Sequence, residues 1–345
     1  MSTVATDRTS GLQRELEAHH RELTAHCYRM LGSAHEAEDA VQETMVRAWR
    51  HHDRFEGRSS LRSWLYRIAT NVCLDLLRGR QRRALPMDLG PGTSAAVDHP
   101  GAVRGEATWI GPLPDERVVP TDADPADVAI ARDTIRLGFI AALQRLPARQ
   151  RAVLLLREVL RWRATEVAEL LDTSVASVNS ALQRARMTLA DAHLSEGDAV
   201  EPMDHAQQAL LARYLDAFER YDLDELAALM RDDAVQSMPP YELWLQGAHT
   251  IRGFWAGPGA ACRGSRLLPT VANGRPAFGQ YRPSGPGGRH EPWALQVLEV
   301  SAGRILGFTF FLDTDRVFPL FGLPARLDPQ SGAGTREAGE VQQPS

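Results

Sequence analysis

Two arginine-rich segments with helical periodicity, His19 to Pro86 and Arg132 to Ala190, flank an acidic stretch rich in proline and glycine. This alternation constrains the chain more than any single motif. The first segment holds 12 Arg against 8 Asp plus Glu and the second 10 Arg against 5 acids, whereas Leu85 to Ala131 carries 2 Arg and 8 acids. The overall charge of −5 therefore conceals two basic units, at +4 and +5, around a connector of −6. Basic units of this kind attract phosphate. At 345 residues the chain exceeds one ordinary core, and two or three domains are expected. No apolar run is long enough to span a bilayer, and Met1 to Glu17 lacks a signal-peptide core, so the expectation is a cytoplasmic protein without membrane association. Cys27, Cys73 and Cys262 are widely spaced, which excludes a disulfide framework and gives no zinc spacing.

In the first basic unit, Ala37, Val41, Met45, Ala48 and Trp49 form the apolar stripe of a helix over 34–52, leaving Asp39, Gln42, Glu43 and Arg50 to solvent. A loop, Phe55-Glu56-Gly57-Arg58-Ser59-Ser60, leads to a second helix that Ser59 or Ser60 is placed to cap. There Leu61, Leu65, Ile68, Val72 and Leu76 read as the buried stripe. Trp64, Arg67, Asn71, Asp75, Arg78 and Arg82 share the other face. An aromatic that stacks, arginines that neutralise phosphate and an amide that reads a base edge suit single-stranded or melting DNA. Two of these residues have plainer readings: Asp75 as an ion pair to Arg78 or Arg82, and Trp64 as core.

In the second basic unit, Ile135, Phe139, Ala142, Leu143 and Leu146 form one apolar face before Pro147, and Ala152, Leu155, Leu156 and Val159 begin another. A short helix over 165–171, a turn at Asp172-Thr173-Ser174 and a longer helix over 175–188 follow the helix-turn-helix layout. Ser177, Asn179, Ser180, Gln183, Arg184 and Arg186 lie outward on the longer helix, a polar surface able to enter a major groove.

Ala37-Glu38-Asp39-Ala40-Val41-Gln42-Glu43-Thr44, Ala48-Trp49, Phe55-Glu56-Gly57, the run Ser60 to Asn71, Asp75 and Arg78 together resemble region 2 of the extracytoplasmic-function sigma factors of bacterial RNA polymerase. Leu146 to Leu156, Glu166 to Leu171 and Ser177 to Arg186 resemble sigma region 4. The resemblance implies that Asp39, Gln42, Glu43 and Thr44 dock on the β′ clamp helices of the polymerase core. It implies that Phe55, Gly57, Arg58, Ser59, Ser60, Trp64, Arg67, Asn71, Asp75 and Arg78 hold the melted minus-10 strand. It further implies that Ser174, Ser177, Asn179, Ser180, Gln183, Arg184 and Arg186 serve double-stranded promoter DNA at minus-35, with region 4 binding the β flap. The acidic connector would occupy the basic cleft of the polymerase. A competing reading is a helix-turn-helix regulator that acts as a dimer without polymerase core.

Beyond Met203, helical patterns around Leu210 to Phe218 and Leu223 to Met230 precede strand-like runs at 266–271, 276–281, 293–300 and 304–312. With Tyr214-Leu215-Asp216-Ala217-Phe218 and Gly247 to Phe254, this stretch resembles the SnoaL-like cone-shaped α+β barrel fused to some sigma factors. Such cones can hold a small-molecule ligand, and some relatives are acid/base enzymes. Asp232, Asp233, Glu242, His249 and His290 are the candidates here, yet none forms a pair in sequence. Neither a phosphate loop nor a metal-ligand spacing occurs, so no cofactor or metal is expected and the chain reads as a non-enzyme whose last domain regulates it through a ligand or a partner.

The expected architecture is therefore two all-α domains followed by an α+β barrel. Its parts are an N-terminal extension (1–18), region 2 (19–86), a flexible acidic linker (87–131), region 4 (132–195), the SnoaL-like domain (204–327) and a disordered tail (328–345).

Overall fold

A computed structural model describes residues 14–52, 55, 60–93, 99–120, 123–190, 205–284 and 288–328. Gly57, Arg58 and Ser59, and nearly all of the expected disordered tail, lie outside these residues.

Helix α1 (His20–Leu31) is the centre of the first domain; every residue from Leu23 to Leu31 is buried. Gly32, at φ 72°, ends it and donates its N–H to the Tyr28 carbonyl at 2.7 Å, the left-handed cap that glycine adopts without strain. Ser33 caps α2 (Ala34–His51), and Ser60, of the two serines expected for the role, caps α3 (Leu61–Leu76) by accepting from Ser63 N–H at 3.1 Å. These three helices pack on one another.

The connector is not a loose linker over its described residues. It contains short 3₁₀ turns at Pro86–Asp88, Glu106–Thr108 and Asp115–Arg117, and ends in helix α4 (Pro125–Asp133). Trp109, Ile110, Leu113, Val118 and Val119 are buried. Their spacing has no period, but irregular backbone buries side chains as well as helices do when its polar groups find partners. Three of its acids form ion pairs: Asp88 with Arg145 at 2.7 Å and Asp115 with Arg132 at 3.3 Å, both in the second basic unit, and Glu106 with Arg316 in the last domain.

Helices α5 (Leu137–Gln144) and α6 (Ala148–Leu154), the latter extended by a π turn at Leu155–Val159, precede the helix-turn-helix pair α7 (Ala164–Leu170) and α8 (Val175–Ala190). Val178, Leu182 and Ala185 face inward, as their spacing predicts.

The last domain contains α9 (His205–Arg220), α10 (Leu223–Leu229), α11 (Ala248–Ala256) and α12 (Thr314–Leu320) with six strands. These are β1 (Met230–Ser237), β2 (Trp244–Gln246), β3 (Arg266–Ala272), β4 (Arg275–Ser284), β5 (Arg289–Ser301) and β6 (Arg304–Phe311). They form one sheet in the order β2-β1-β6-β5-β4-β3, antiparallel except for β1 beside β6. One face holds the cone's own core, including Tyr214, Phe218, Trp255, Phe278 and Phe308. The opposite face, with Ala277, Tyr281, Leu295, Val297 and Phe311, joins the same hydrophobic cluster as the cores of the first two domains. Ala294 to Leu298 are therefore five consecutive buried residues. Strands β1 and β2 and helix α12 are not expected from sequence, because Arg231, Asp232 and Asp233 hide β1, β2 is only three residues long, and Pro319 interrupts the helix pattern.

Candidate polymerase and nucleic-acid interface

On α2, Asp39 and Gln42 are exposed, and Glu43 accepts from Arg47 Nε at 2.6 Å. Thr44, grouped with them from the sequence, instead points into the core and donates to the Ala40 carbonyl at 2.7 Å. Trp49, expected inward, is 47% exposed. Five residues separate the two positions, about 140° around the helix, so the face that buries Thr44 turns Trp49 towards solvent.

The residues expected on the outer face of α3 are accessible to different degrees. Phe55 and Trp64 place their rings 5.1 Å apart, joining the loop to the helix start, and Trp64 is half-buried, so it both packs and lines the surface. Asn71, Asp75 and Arg78 are exposed, and Arg78 lies 3.3 Å from the Asp75 carboxylate, the ion pair that orients the guanidinium. Arg67 behaves differently. Its guanidinium donates to the backbone carbonyls of Glu169 and Leu170 at the end of α7, tying the region 2 surface directly to the helix-turn-helix.

On α8, Ser177, Asn179, Ser180, Gln183, Arg184 and Arg186 all face solvent. Ser174 caps the helix, accepting from Ser177 N–H at 3.1 Å, so its hydroxyl fixes the start of the recognition helix. Arg186 forms an ion pair with Glu158 at 2.6 Å.

Several buried side chains that the sequence did not single out hold these surfaces together. Arg151, quoted only as part of the region 4 string, is 3% exposed; its guanidinium donates to the carbonyls of Leu143, Gln144 and Leu146 and to the Met30 carbonyl at the end of α1. A cation there satisfies carbonyls that the helix ends leave open. Arg29 reaches Thr134 in the same way, at 2.7 Å to Oγ1. Burial lowers both guanidinium pKa values to about 10, so both remain charged at neutral pH. Beside them, burial and then the Arg29 charge depress His26 to about 3, which makes it a neutral core group bonded to Thr70 at 3.0 Å.

The β3–β4 turn is the junction of all three domains. Asn273 and Gly274 have φ of 56° and 70°, the geometry of a two-residue hairpin for which Asn-Gly is suited. The fully buried Asn273 side chain donates to the Tyr28 hydroxyl and the Ile135 carbonyl, each at 2.7 Å, and accepts from Leu113 N–H at 2.9 Å. Gly274 N–H donates to Asp115 at 2.7 Å, and a Cβ at Gly274 would stand 2.7 Å from the Arg132 carbonyl. Burial raises the Asp115 pKa, opposed by the Gly274 N–H and by Arg132.

The acid/base candidates of the last domain do not converge. Asp233 pairs with Arg231 and Glu242 with Arg104 on the surface, Asp232 and His249 are exposed, and His290 contacts the Gly264 and Gly288 carbonyls. The cone's interior contains amides and aromatics instead: Tyr214 donates to Gln296, Gln296 to Gln280, Gln280 to Ser265, and Trp255 to Gln236. Among the described residues, no three His, Cys, Asp or Glu side chains are grouped as a metal site.

Three family models match the chain: Sigma-70 region 2 over residues 16–83, Sigma-70 region 4 over 136–189, and a SnoaL-like domain over 211–308. The ECF RNA polymerase sigma factor SigG of Mycobacterium tuberculosis is 46% identical over 328 residues, which is 94% of this chain and 86% of that protein. The ECF RNA polymerase sigma factor SigW of Bacillus subtilis is 31% identical over 163 residues, 47% of this chain and 78% of the relative. The crystal structure of the M. tuberculosis extracytoplasmic function sigma factor SigJ superposes with a TM-score of 0.55 at 22% identity, covering 90% of this chain and 99% of that one, which establishes the shared three-part fold. With the identity to SigG running through both basic domains and the cone that joins them, this chain belongs to the ECF RNA polymerase sigma factors.

Proposed function

We propose that the chain binds the RNA polymerase core and directs promoter-specific initiation, with region 2 holding the melted minus-10 strand and region 4 reading minus-35 duplex. In this reading Asp39, Gln42 and Glu43 dock on the β′ clamp helices, region 4 meets the β flap, and the C-terminal cone regulates access to DNA. The observation that carries it is the exposed polar set Ser177 to Arg186 on α8 together with the exposed Asn71, Asp75 and Arg78 of the first domain. The contact of Arg67 with the Glu169 and Leu170 carbonyls adds that these two DNA-facing domains lie side by side. Elements named minus-10 and minus-35 lie about 25 base pairs apart, roughly 85 Å of duplex at about 3.4 Å per step. Domains of some 60 to 70 residues are only about 30 Å across. Two that touch cannot serve both elements, so this arrangement is a closed, silent one that must open on the polymerase. The cone, through Asn273, supplies the bonds that hold it closed. Its part in this reading is regulatory, with the amides and aromatics of its interior serving as core.

The fold offers no helix long and apolar enough to cross a membrane among the described residues. The test is run-off transcription with purified core polymerase. Promoter-specific product that requires both core and this chain supports the reading, and tight binding to a symmetric operator without core, with no product in its presence, would overturn it.

A further inference from the structure

The cone of a SnoaL-like domain is where a ligand would be sought, but here that interior is nearly filled. Phe218, Trp255, Phe310 and the bonded amides Gln236 and Gln280 leave about 40 Å³, the room of a water or two. A cavity of about 520 Å³ lies elsewhere, within the range that accepts small organic molecules. Its walls come from three parts of the chain: Ser33 and Ala34 at the start of α2, the connector from Val103 to Pro112, and the cone's Pro239 to Tyr241, Trp293 and Phe311 to Leu320.

The chemistry of those walls defines what fits. Trp109, Ile110, Tyr241, Phe311 and Leu320 give an apolar lining. The cationic side chains at its edge already have partners: Arg83 with Glu36 at 3.0 Å and with the Trp109 carbonyl at 2.6 Å, Arg104 with Glu242, and Arg316 with Glu106. An anionic ligand would have to break one of these pairs, and the one further carboxylate of the lining, Asp313, is exposed to solvent at the rim, while a neutral ligand leaves the pairs intact and gains from apolar burial.

We propose that this interdomain cavity binds a neutral, largely apolar small molecule, and that its occupancy holds the chain closed. The second half rests on the proposed function, in which the closed arrangement is the silent one. Because the walls belong to region 2, the connector and the cone together, opening separates them and removes the site. A ligand with different affinity for two states must shift the population toward the one it binds, so occupancy and promoter binding oppose each other.

The probe is N-phenyl-1-naphthylamine, an uncharged fluorophore that brightens in apolar surroundings, titrated into the full-length protein. One saturable site is expected. Val103 lines the cavity and is 59% exposed, so Val103→Trp, which fills the mouth, and Val103→Arg, which places an unpaired charge there, should both fold and both weaken binding at least tenfold. Cys262→Phe, in the cone's interior, should leave binding unchanged. Saturating dye should reduce run-off transcription severalfold with the unaltered chain and not with Val103→Trp. Absence of a saturable site, binding indifferent to both Val103 variants, or binding lost only in Cys262→Phe overturns the site. Dye bound at the site with transcription unchanged overturns the coupling. No transcription from any version, with dye binding and its Val103 dependence intact, counts against the sigma-factor reading and leaves the cavity assigned.

Discussion

The carboxamide of Asn273 and the hydroxyl of Tyr28 meet at 2.7 Å in a fully buried site, linking the tip of the last domain's hairpin to the central helix of the first. Tyr28 in turn donates to the Gly111 carbonyl at 2.8 Å, so one hydrogen-bonded chain runs from cone to region 2 to connector. Burial keeps the phenol protonated far above neutral pH, against the opposing pull of the Asn273 amide and the Arg83 charge. Asn273 is thus the polar centre of the cone's grip on the other domains, set within the apolar face that Ala277, Tyr281, Leu295, Val297 and Phe311 pack against them.

Asn273→Ala should open the chain. The substitution leaves the Ile135 carbonyl and the Leu113 N–H without their partner, at about 1 to 3 kcal/mol for each buried group left unsatisfied. Run-off transcription should rise severalfold, and small-angle scattering should report a larger radius of gyration. Gly274→Ala, strained at φ 70° and pressed against Arg132, should act in the same direction. Wild-type activity and dimensions in both variants would show that the hairpin is not the catch.

Asn71→Ala bears on the minus-10 face. The residue is exposed at mid-helix, so core binding and stability should be unchanged, while open-complex formation weakens by about 1 to 3 kcal/mol if its amide contacts a displaced base. Permanganate footprinting of the melted strand is the measurement, and an undiminished footprint would remove Asn71 from the assignment.

Region 4 offers a pair of opposite changes. Arg184→Ala should weaken upstream promoter binding and lower the slope of affinity against salt by about one unit, as loss of one phosphate contact does. Glu158→Gln frees Arg186 from its ion pair and should strengthen that binding, by about fivefold at most because an exposed pair is worth about 0 to 1 kcal/mol. Fluorescence anisotropy across a salt series reads both, and equal slopes for Arg184→Ala and the unaltered chain would contradict the phosphate contact.

Stability should fall in mild acid through His26. Its pKa is about 3 when folded against 6.5 when unfolded, so the unfolded chain binds the extra proton across that interval. The stabilisation is complete above about pH 6.5 and is lost as pH falls toward 3, at a slope approaching about 1.4 kcal/mol per pH unit. His26→Gln, which keeps a partner for Thr70, should be less stable at pH 7.5 yet flatter between pH 6.5 and 5 in urea denaturation. A parallel pair of curves would assign the acid sensitivity to other groups.

Much of the surface was legible because it depends on local pattern. The outward set Ser177-Asn179-Ser180-Gln183-Arg184 follows from helical spacing alone and is exposed, as are Asn71 and Asp75 on α3, whereas α3 ends at Leu76, short of Arg78, and Arg67 turns to region 4. Thr44 and Trp49 exchanged their expected environments because amphipathic spacing marks an apolar sector without fixing its edges, and the neighbouring elements decide which flank is covered. The acidic connector misled for a related reason. Composition counts its charges but not their partners, and Asp88, Glu106 and Asp115 each meet an arginine distant in the chain.

Residue order by itself determined most helices of the two basic domains, strands β3 to β6 of the cone, and the Asn-Gly turn between β3 and β4, because periodicity and turn chemistry act over a few residues. Only the tertiary structure decided what the outer face of the cone's sheet packs against, where Asn273 inserts, and that Arg67 contacts region 4 instead of solvent. Those outcomes pair residues 100 to 245 positions apart. No local pattern encodes them, since they arise when apolar faces left uncovered within each domain find one another and the buried polar groups among them must be satisfied.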